Sequence, residues 1–169
     1  MKVLVSVASK HGATAEIAAS ISKTLNDRGL DTSLVDPANV VSVKEFDAFV
    51  IGSAVYAGRW LKPARKLIKR VGGDLNGRPV WLLSSGPIGH PLTPDEAIDV
   101  DEFIAATGAR QHQVFAGCID VAKLNFAEKA MIKAVKAETG DFRDWESITA
   151  WSNEVADFAE ANALQSGNG

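Results

Sequence analysis

The sequence contains, at residues 9–14, the polar stretch Ser9-Lys10-His11-Gly12-Ala13-Thr14. An apolar run precedes it and a segment of helical period follows from about Ala15, so a strand is predicted to pass through a short loop into a helix. Unpaired backbone N–H groups and the positive end of the helix dipole meet there and favour an anion. Two hydroxyl side chains add donors, and the glycine lets the backbone approach an oxyanion. The stretch therefore predicts a phosphate-binding loop.

Strand and helix patterns alternate five times outward from this loop. The predicted strands cover residues 3–8, 30–36, 47–52, 79–84 and 112–118. The predicted helices run from about 15 to 29, 61 to 71, 93 to 107, 125 to 139 and onward from 144, with a short helical turn over 40–45. Capping patterns, Thr93 with Glu96 and Asn125 with Glu128, mark two of the helix starts. Short connections of this kind imply right-handed crossovers and an α/β fold with a parallel sheet between helices.

Two strand orders are compatible with this alternation. A six-stranded dinucleotide-binding sheet requires three glycines after the first strand and an acidic residue at the end of the second. The loop has one glycine, and Asp36 alone meets the second condition. Five strands and a one-glycine loop favour the order 2-1-3-4-5, in which the loops after strands one, three and four surround one site.

Composition is typical of a single domain without nucleic-acid partners. The 169 residues are 46% hydrophobic and 23% charged, and we predict one domain over residues 1–164 with a flexible tail over 165–169. A net charge of -3 gives no basis for binding nucleic acid. The single cysteine, Cys118, excludes an internal disulfide. Since neither a secretory signal nor a long apolar run is present, we predict a cytoplasmic protein.

Several other chemistries are not supported by the sequence. The three histidines, His11, His90 and His112, lie on separate elements, so no metal site is predicted. The stretch Ser84-Ser85-Gly86 lacks the elbow motif of serine hydrolases. The first strand ends without the acidic residues that a phosphoacceptor domain requires.

Residues 9–14 resemble the phosphate loop of flavodoxins, Thr/Ser-x-Thr-Gly-x-Thr, with His11 in place of the usual hydroxyl residue. Further stretches, at 51–58, 115–117, 129–133 and 144–146, resemble the flavodoxin-domain group that includes menaquinone-dependent protoporphyrinogen oxidase. The resemblance covers nearly the whole chain. It implies a flavodoxin-like three-layer sandwich and FMN as the cofactor, although the residues do not separate FMN from a deazaflavin with a similar phosphate tail.

The resemblance also implies which residues hold the cofactor. Three loops are expected to contribute, through Ser9, Lys10, His11, Gly12, Ala13, Thr14, then Ser53, Ala54, Val55, Tyr56, Ala57, Gly58, and finally Ser85, Gly86, Pro87, Ile88 and Gly89. Tyr56 and Trp60 are candidates for stacking on the isoalloxazine ring, although either could simply pack its helix on the sheet. Gly58 could present a backbone group to flavin N5 or be an ordinary turn glycine.

Charged residues near this site suggest how substrates or partners approach. Arg59 and Lys62 are expected to steer a carboxylate-bearing substrate such as a porphyrinogen. The helix predicted over 125–139 has an apolar side and a lysine side, formed by Ala127, Ala130, Met131, Ala134 and Val135 and by Lys129, Lys133 and Lys136. Because the apolar side is mostly alanine, ordinary docking on the domain is favoured over contact with a membrane surface or partner.

Three functions remain open at this point. The first is an FMN-dependent oxidoreductase similar to protoporphyrinogen oxidase, with a small-molecule substrate and a quinone or other acceptor. The second is an electron carrier that binds FMN and meets a redox partner protein. The third is a flavin-free interaction domain, which the replacement at His11 keeps open. No catalytic side chain is assigned, since a flavin carries its own redox chemistry.

Overall fold

Five parallel strands form the central sheet of the computed structural model, which describes residues 1–75, 77–86, 98, 100–134 and 136–166. The strands are β1 (Lys2–Ala8), β2 (Asp31–Leu34), β3 (Ala48–Tyr56), β4 (Arg59–Trp60), β5 (Val80–Ser85), β6 (Gln111–Phe115), β7 (Cys118–Ile119) and β8 (Gly140–Asp141). The α-helices are α1 (Ala13–Asp27), α2 (Lys62–Val71), α3 (Asp101–Thr107), α4 (Phe126–Ala134) and α5 (Trp145–Ser166). Two 3-10 turns cover Gly72–Leu75 and Val121–Lys123.

The parallel strands lie in the order β2-β1-β3-β5-β6, which confirms the predicted order 2-1-3-4-5 for the five parallel strands. The short β4 pairs antiparallel with β3 at one end. The chain reverses direction across the sheet between β1 and β3, so the loops that follow these strands diverge and leave a crevice at their carboxyl ends. This crevice is where the sheet order predicts a ligand.

Successive side chains of the buried strands point to opposite faces of the sheet and form an apolar layer on each face. In β1, Val3, Val5 and Val7 face the layer that α1 and α5 cover, whereas Leu4 and Ala8 face the layer under α2. Both faces of the sheet are thus buried, as a parallel sheet with helices on both sides requires. The fold is a three-layer α/β sandwich.

The structure corrects the region after the third strand. Residues 53–60 are predicted as a loop, but β3 continues to Tyr56 and turns through two residues into β4. Ala57 and Gly58 occupy this turn with φ of 49° and 71°. Positive φ at both central residues is the geometry that matches the twist of a two-residue hairpin.

Other predicted boundaries also shift. Residues 40–45 form no helix and instead pack Val40 and Val43 under α2. The predicted strand 112–118 divides, because β6 ends at Phe115 while Cys118 belongs to the β7-β8 ribbon. The helix predicted to reach Thr139 has its described turns over Phe126–Ala134. The helix α5 continues to Ser166, two residues into the predicted tail, and the Thr93 capping box lies outside the described residues.

Two buried serines in the sheet give a matched test of polar burial. Among the described residues, Ser6 Oγ is the one buried side-chain N or O atom without a hydrogen-bond partner. We expect Ser6→Ala to raise the free energy of unfolding by about 1 kcal/mol, because it removes an unsatisfied hydroxyl. Ser84→Ala, which deletes a hydroxyl bonded to Trp60 and His112, should lower it by about 1 to 3 kcal/mol. Urea denaturation measures both, and a destabilising Ser6→Ala would contradict this account.

Candidate flavin site

A cavity of about 660 Å³ opens at the carboxyl ends of β1, β3 and β5. Its described lining brings together eleven of the predicted residues: Ser9, Lys10, His11, Ala13, Thr14, Ala54, Val55, Tyr56, Ala57, Ser85 and Gly86. Loops distant in sequence meet there because parallel strands place their carboxyl ends at one edge. The size lies within the range of cofactor sites.

The loop between β1 and α1 has the backbone geometry of an anion cradle. Gly12 is the N-cap of α1 with φ of 92°, and its N–H donates to Ser9 Oγ at 3.1 Å. A Cβ at this glycine would have no atom within 4 Å, so the space in front of the loop is open. Thr14 is only 4% exposed in the first turn of α1, where helix N–H groups lack intrahelical partners. These features fit a phosphate group.

Tyr56 forms part of the cavity wall beside this loop. Its ring centroid lies 5.4 Å from Lys10 Nζ and 6.4 Å from the centroid of the His11 ring. Burial raises the pKa of the Tyr56 phenol above its ordinary value, so the hydroxyl is neutral near pH 7. The half-buried ring offers an apolar face to the cavity, and its stacking on a flavin stays a prediction.

Trp60, the second stacking candidate, packs inside the protein. It is 2% exposed, its Nε1 donates to Ser84 Oγ at 2.7 Å, and its ring centroid lies 4.9 Å from that of Phe103. Since Ser84 Oγ accepts from Trp60, its own proton is available to His112 Nε2 at 2.8 Å. Burial lowers the pKa of His112, which favours the neutral, accepting imidazole. Trp60 therefore anchors α2 to the sheet, and the buried Ser84 is inaccessible as a nucleophile.

Besides Trp60, five predicted residues are described but are not part of the cavity lining: Gly12, Ser53, Gly58, Arg59 and Lys62. Ser53 is fully buried and accepts from the Leu61 N–H at 2.8 Å, a structural contact at the start of α2. Arg59 and Lys62 are exposed at the end of the β3-β4 hairpin and the start of α2. Pro87, Ile88 and Gly89 lie outside the described residues, so their role stays a prediction.

Residues 117–138 form a wall of the cavity that the sequence did not predict. They contribute Gly117, Cys118, Ile119, Asp120, Leu124, Glu128, Met131, Ile132, Lys136, Ala137 and Glu138. Glu128 and Ile132, four residues apart, share one face of α4, but no local pattern in the sequence indicates that this face meets the phosphate loop. Helix α4 and the turn before it thus add a side to the cavity beyond the three strand loops.

The orientation of α4 corrects the predicted docking face. Ala127, Ala130 and Ala134 are exposed rather than packed on the domain, and Met131 is 55% exposed at the rim of the cavity. Phe126 is 88% exposed at the start of the helix. Val135 lies outside the described residues. Contact of this outer face with a membrane surface or a partner is the alternative that the sequence disfavours, and no contact of the described residues tests it.

Glu128 joins α4 to the phosphate loop. One carboxylate oxygen, Oε2, accepts from the Asn125 N–H at 2.9 Å, while Asn125 Oδ1 accepts from the Glu128 N–H at 2.9 Å, which confirms the predicted cap. The other oxygen, Oε1, accepts from Lys10 Nζ and lies 3.0 Å from His11 Nε2. The Lys10 ammonium, followed by the Asn125 N–H, lowers the pKa of Glu128 to about 2.

Arg143 attaches the end of the segment between β6 and α5, which contains α4, to the start of α1. Its guanidinium donates to the Ala13 carbonyl at 3.1 Å and to carboxylates of Glu16 and Asp141, each at 2.6 Å. It also lies 4.7 Å from the centroid of the Trp145 ring. The segment between β6 and α5 is therefore held next to the phosphate loop at two points, Glu128 and Arg143.

The lowered pKa of Glu128 predicts an acid-dependent loss of stability. Its ordinary pKa is 4.5 and its folded value is about 2, so the carboxylate stabilises the fold above pH 4.5 and loses this effect as pH falls towards 2. We expect the difference in melting temperature between wild type and Glu128→Gln to be constant from pH 7 to 5 and to shrink below pH 4.5. Thermal unfolding at each pH measures this difference. A difference that does not change with pH would contradict the assigned ionisation.

Over the described residues, no group of His, Cys, Asp and Glu is arranged to hold a metal ion. Within the same residues, no helix has the length and apolar character needed to cross a membrane.

The strand order, the one-glycine loop and the cavity beside it define a flavodoxin-like domain. The family model described as "Flavodoxin domain" matches residues 4–146, and the chain belongs to this family.

Relatives and solved structures agree with this assignment. Protoporphyrinogen IX dehydrogenase (quinone) of Escherichia coli strain K12 is 23% identical over 184 aligned positions, which cover 98% of this chain and 100% of that protein. A flavodoxin from the domain Archaea superposes with a TM-score of 0.66 at 17% identity, covering 95% of this chain and 99% of the other. A flavodoxin from Streptococcus pneumoniae TIGR4 gives 0.65 at 20% identity, covering 93% and 99%.

Proposed function

We propose that the protein binds FMN in this cavity and acts as an oxidoreductase. The observation that carries the proposal is the loop at residues 9–14, where Gly12 is the N-cap of α1 and five neighbouring residues line a cavity whose walls also include the ends of β3 and β5. Membership of the flavodoxin-domain family supports FMN as the ligand. A deazaflavin with the same phosphate tail would use the same cradle, and separate titrations of the apoprotein with FMN and with a deazaflavin distinguish the two ligands.

The residues of the cavity have distinct roles in this proposal. Ser9, Thr14 and the first-turn N–H groups of α1 bind the phosphate, and Tyr56 gives the ring an apolar surface. Ser85 and Gly86, which line the cavity, would offer backbone groups to the polar edge of the ring. When bound, FMN supplies the hydride or electron transfer, while the protein orients the ring and limits the access of water.

We further propose that the substrate belongs to the porphyrinogen class and that a quinone accepts the electrons. The support is the similarity to protoporphyrinogen IX dehydrogenase (quinone), which extends over 98% of the chain. The wall formed by residues 117–138 adds apolar side chains at Ile119, Leu124 and Ile132, which suit a large, flat substrate. Arg59 and Lys62, outside the lining, attract its carboxylates by longer-range electrostatics.

An electron carrier is the second candidate, because solved flavodoxins share this fold. In that case a redox partner protein meets the exposed cavity rim around Met131. The carrier needs no substrate pocket, whereas the enzyme uses the wall at 117–138.

Anaerobic turnover separates the two candidates. The FMN-loaded protein is mixed with protoporphyrinogen IX and a soluble menaquinone analogue, and protoporphyrin fluorescence is followed against FMN alone and against protein without quinone. We expect fluorescence to rise only in the complete mixture. Bound FMN that a flavodoxin reductase reduces, without porphyrin formation, would instead identify a carrier. Absence of flavin binding would leave the flavin-free interaction domain.

A further inference from the structure

We propose that the Glu128 carboxylate competes with the ligand's phosphate for Lys10 and His11, so that filling the phosphate loop releases α4 from the cavity. This inference rests on the proposed binding of a phosphate at residues 9–14. We call the contacts from Glu128 Oε1 to Lys10 and His11 the Glu128 bridge. The bridge joins the phosphate loop to a helix that begins more than 110 residues later in the chain.

Helix α4 makes few apolar contacts with the rest of the domain. The Glu128 bridge supplies a polar contact that holds it there. Glu128 is the one buried residue of α4 among Phe126–Ala134, and Ile132 is half-buried next to it. The remaining residues of these two turns are exposed. A helix packed by so narrow a stripe gains little from apolar burial, so the bonds made by Glu128 decide whether it stays against the cavity.

The two oxygens of Glu128 have separable partners. Oε2 accepts from the Asn125 N–H and caps α4, which is a contact inside the helix itself. Oε1 alone reaches the phosphate loop. The bridge can therefore break while the cap remains, and α4, no longer supported by the domain, can leave the cavity between its anchored ends and open its own hydrogen bonds more often. Arg143 fixes one end to the Ala13 carbonyl, and the Phe142 N–H donates to the Gly117 carbonyl at 3.1 Å.

The ligand's phosphate and the Glu128 carboxylate are both anions, so they compete for the same donors, Lys10 and His11. The titratable groups that line the cavity are Lys10, His11, Tyr56, Cys118, Asp120, Glu128, Lys136 and Glu138. A phosphate monoester carries a charge of about -1.5 to -2 at pH 7. Two anions that share the same cations in a partly buried site repel each other. The phosphate has the stronger set of alternative donors, in the first turn of α1 and in Ser9 and Thr14.

The competition predicts that only one of two flavins that differ in the phosphate responds to loss of the Glu128 charge. FMN must displace Glu128 from Lys10 and His11, whereas riboflavin has no group that needs these donors. In Glu128→Gln the side chain keeps its shape but loses its charge, so both donors are freed for phosphate. We expect the variant to bind FMN about tenfold more tightly and riboflavin within about twofold of wild type.

A first experiment measures the dissociation constants of FMN and riboflavin by quenching of flavin fluorescence. The variants are wild type, Glu128→Gln and the control Glu154→Gln, which removes an exposed carboxylate from α5. A purely structural role of Glu128 would change both affinities in the same direction and by the same factor. That result, or a weaker binding of FMN, overturns the inference, and an increase confined to FMN supports it.

A second experiment uses inorganic phosphate as a probe without a flavin. Hydrogen exchange of the amides in α4, Phe126–Ala134, is compared with and without phosphate. We expect phosphate to speed exchange severalfold in wild type and to have little further effect in Glu128→Gln, whose bridge is already weakened. Unchanged exchange in wild type overturns the inference. If wild type binds no FMN, the proposed function fails, but the phosphate experiment still decides whether the bridge responds to an anion.

Discussion

Gly12→Asp is expected to weaken FMN binding at least about 100-fold, because it adds a carboxylate to the loop that is proposed to hold the phosphate. The position has φ of 92° and no atom within 4 Å of a Cβ, so the new side chain is accommodated without a steric clash. An aspartate at this φ also strains the loop by about 1 to 2 kcal/mol. Titration of the apoprotein with FMN, followed by fluorescence quenching, measures the loss.

Gly12→Asn is the matched control for this substitution. It has the same shape and the same backbone strain at φ of 92°, but no charge. We expect it to weaken FMN binding only about tenfold, and we expect riboflavin to show no difference between the aspartate and asparagine variants. Equal FMN affinities for these two variants would place the phosphate away from residues 9–14.

Gly52→Ala is expected to lower the free energy of unfolding by about 3 kcal/mol. Gly52 lies opposite Leu83 in the central strands β3 and β5. A Cβ there would be 2.5 Å from Leu83 Cγ and 2.6 Å from the Leu83 carbonyl oxygen. The strands would have to separate, since a backbone oxygen in a ladder cannot move aside as a flexible side chain can.

The control for Gly52 is Gly73→Ala, in the turn that follows α2. A Cβ at Gly73 would meet no atom within 4 Å, so we expect a change within about 0.5 kcal/mol. Urea denaturation gives both values. Similar losses for the two variants would show that the sheet accommodates a methyl group at Gly52.

The sheet order was predictable because local signals determine it. Apolar runs separated by helical periods require parallel strands, and one glycine in the first loop favours the five-stranded order. The cap formed by Asn125 and Glu128 was likewise predictable, since its two residues are three positions apart. The β3-β4 hairpin was missed because Ala57 takes φ of 49°, a conformation that the sheet imposes and that alanine does not favour.

The candidate site was predictable only in part. The loops after β1, β3 and β5 follow from topology, and eleven predicted residues do line one cavity. Trp60 was ambiguous because its bond to Ser84 depends on the approach of α2 to β5. The wall at 117–138 depends on the contact of Glu128 with Lys10 and His11, which no local pattern encodes. Contacts over such sequence separations arise from packing of the whole domain.

The binding of FMN to the wild-type apoprotein is the most direct test of the central claim. Increasing protein is added to a fixed concentration of FMN, and the flavin fluorescence is compared with that of riboflavin under the same conditions. We expect one site per chain, a dissociation constant for FMN below about 1 μM, and riboflavin binding at least about tenfold weaker. FMN fluorescence that stays unchanged at about 50 μM protein, or equal affinity for the two flavins, would contradict a phosphate cradle at residues 9–14.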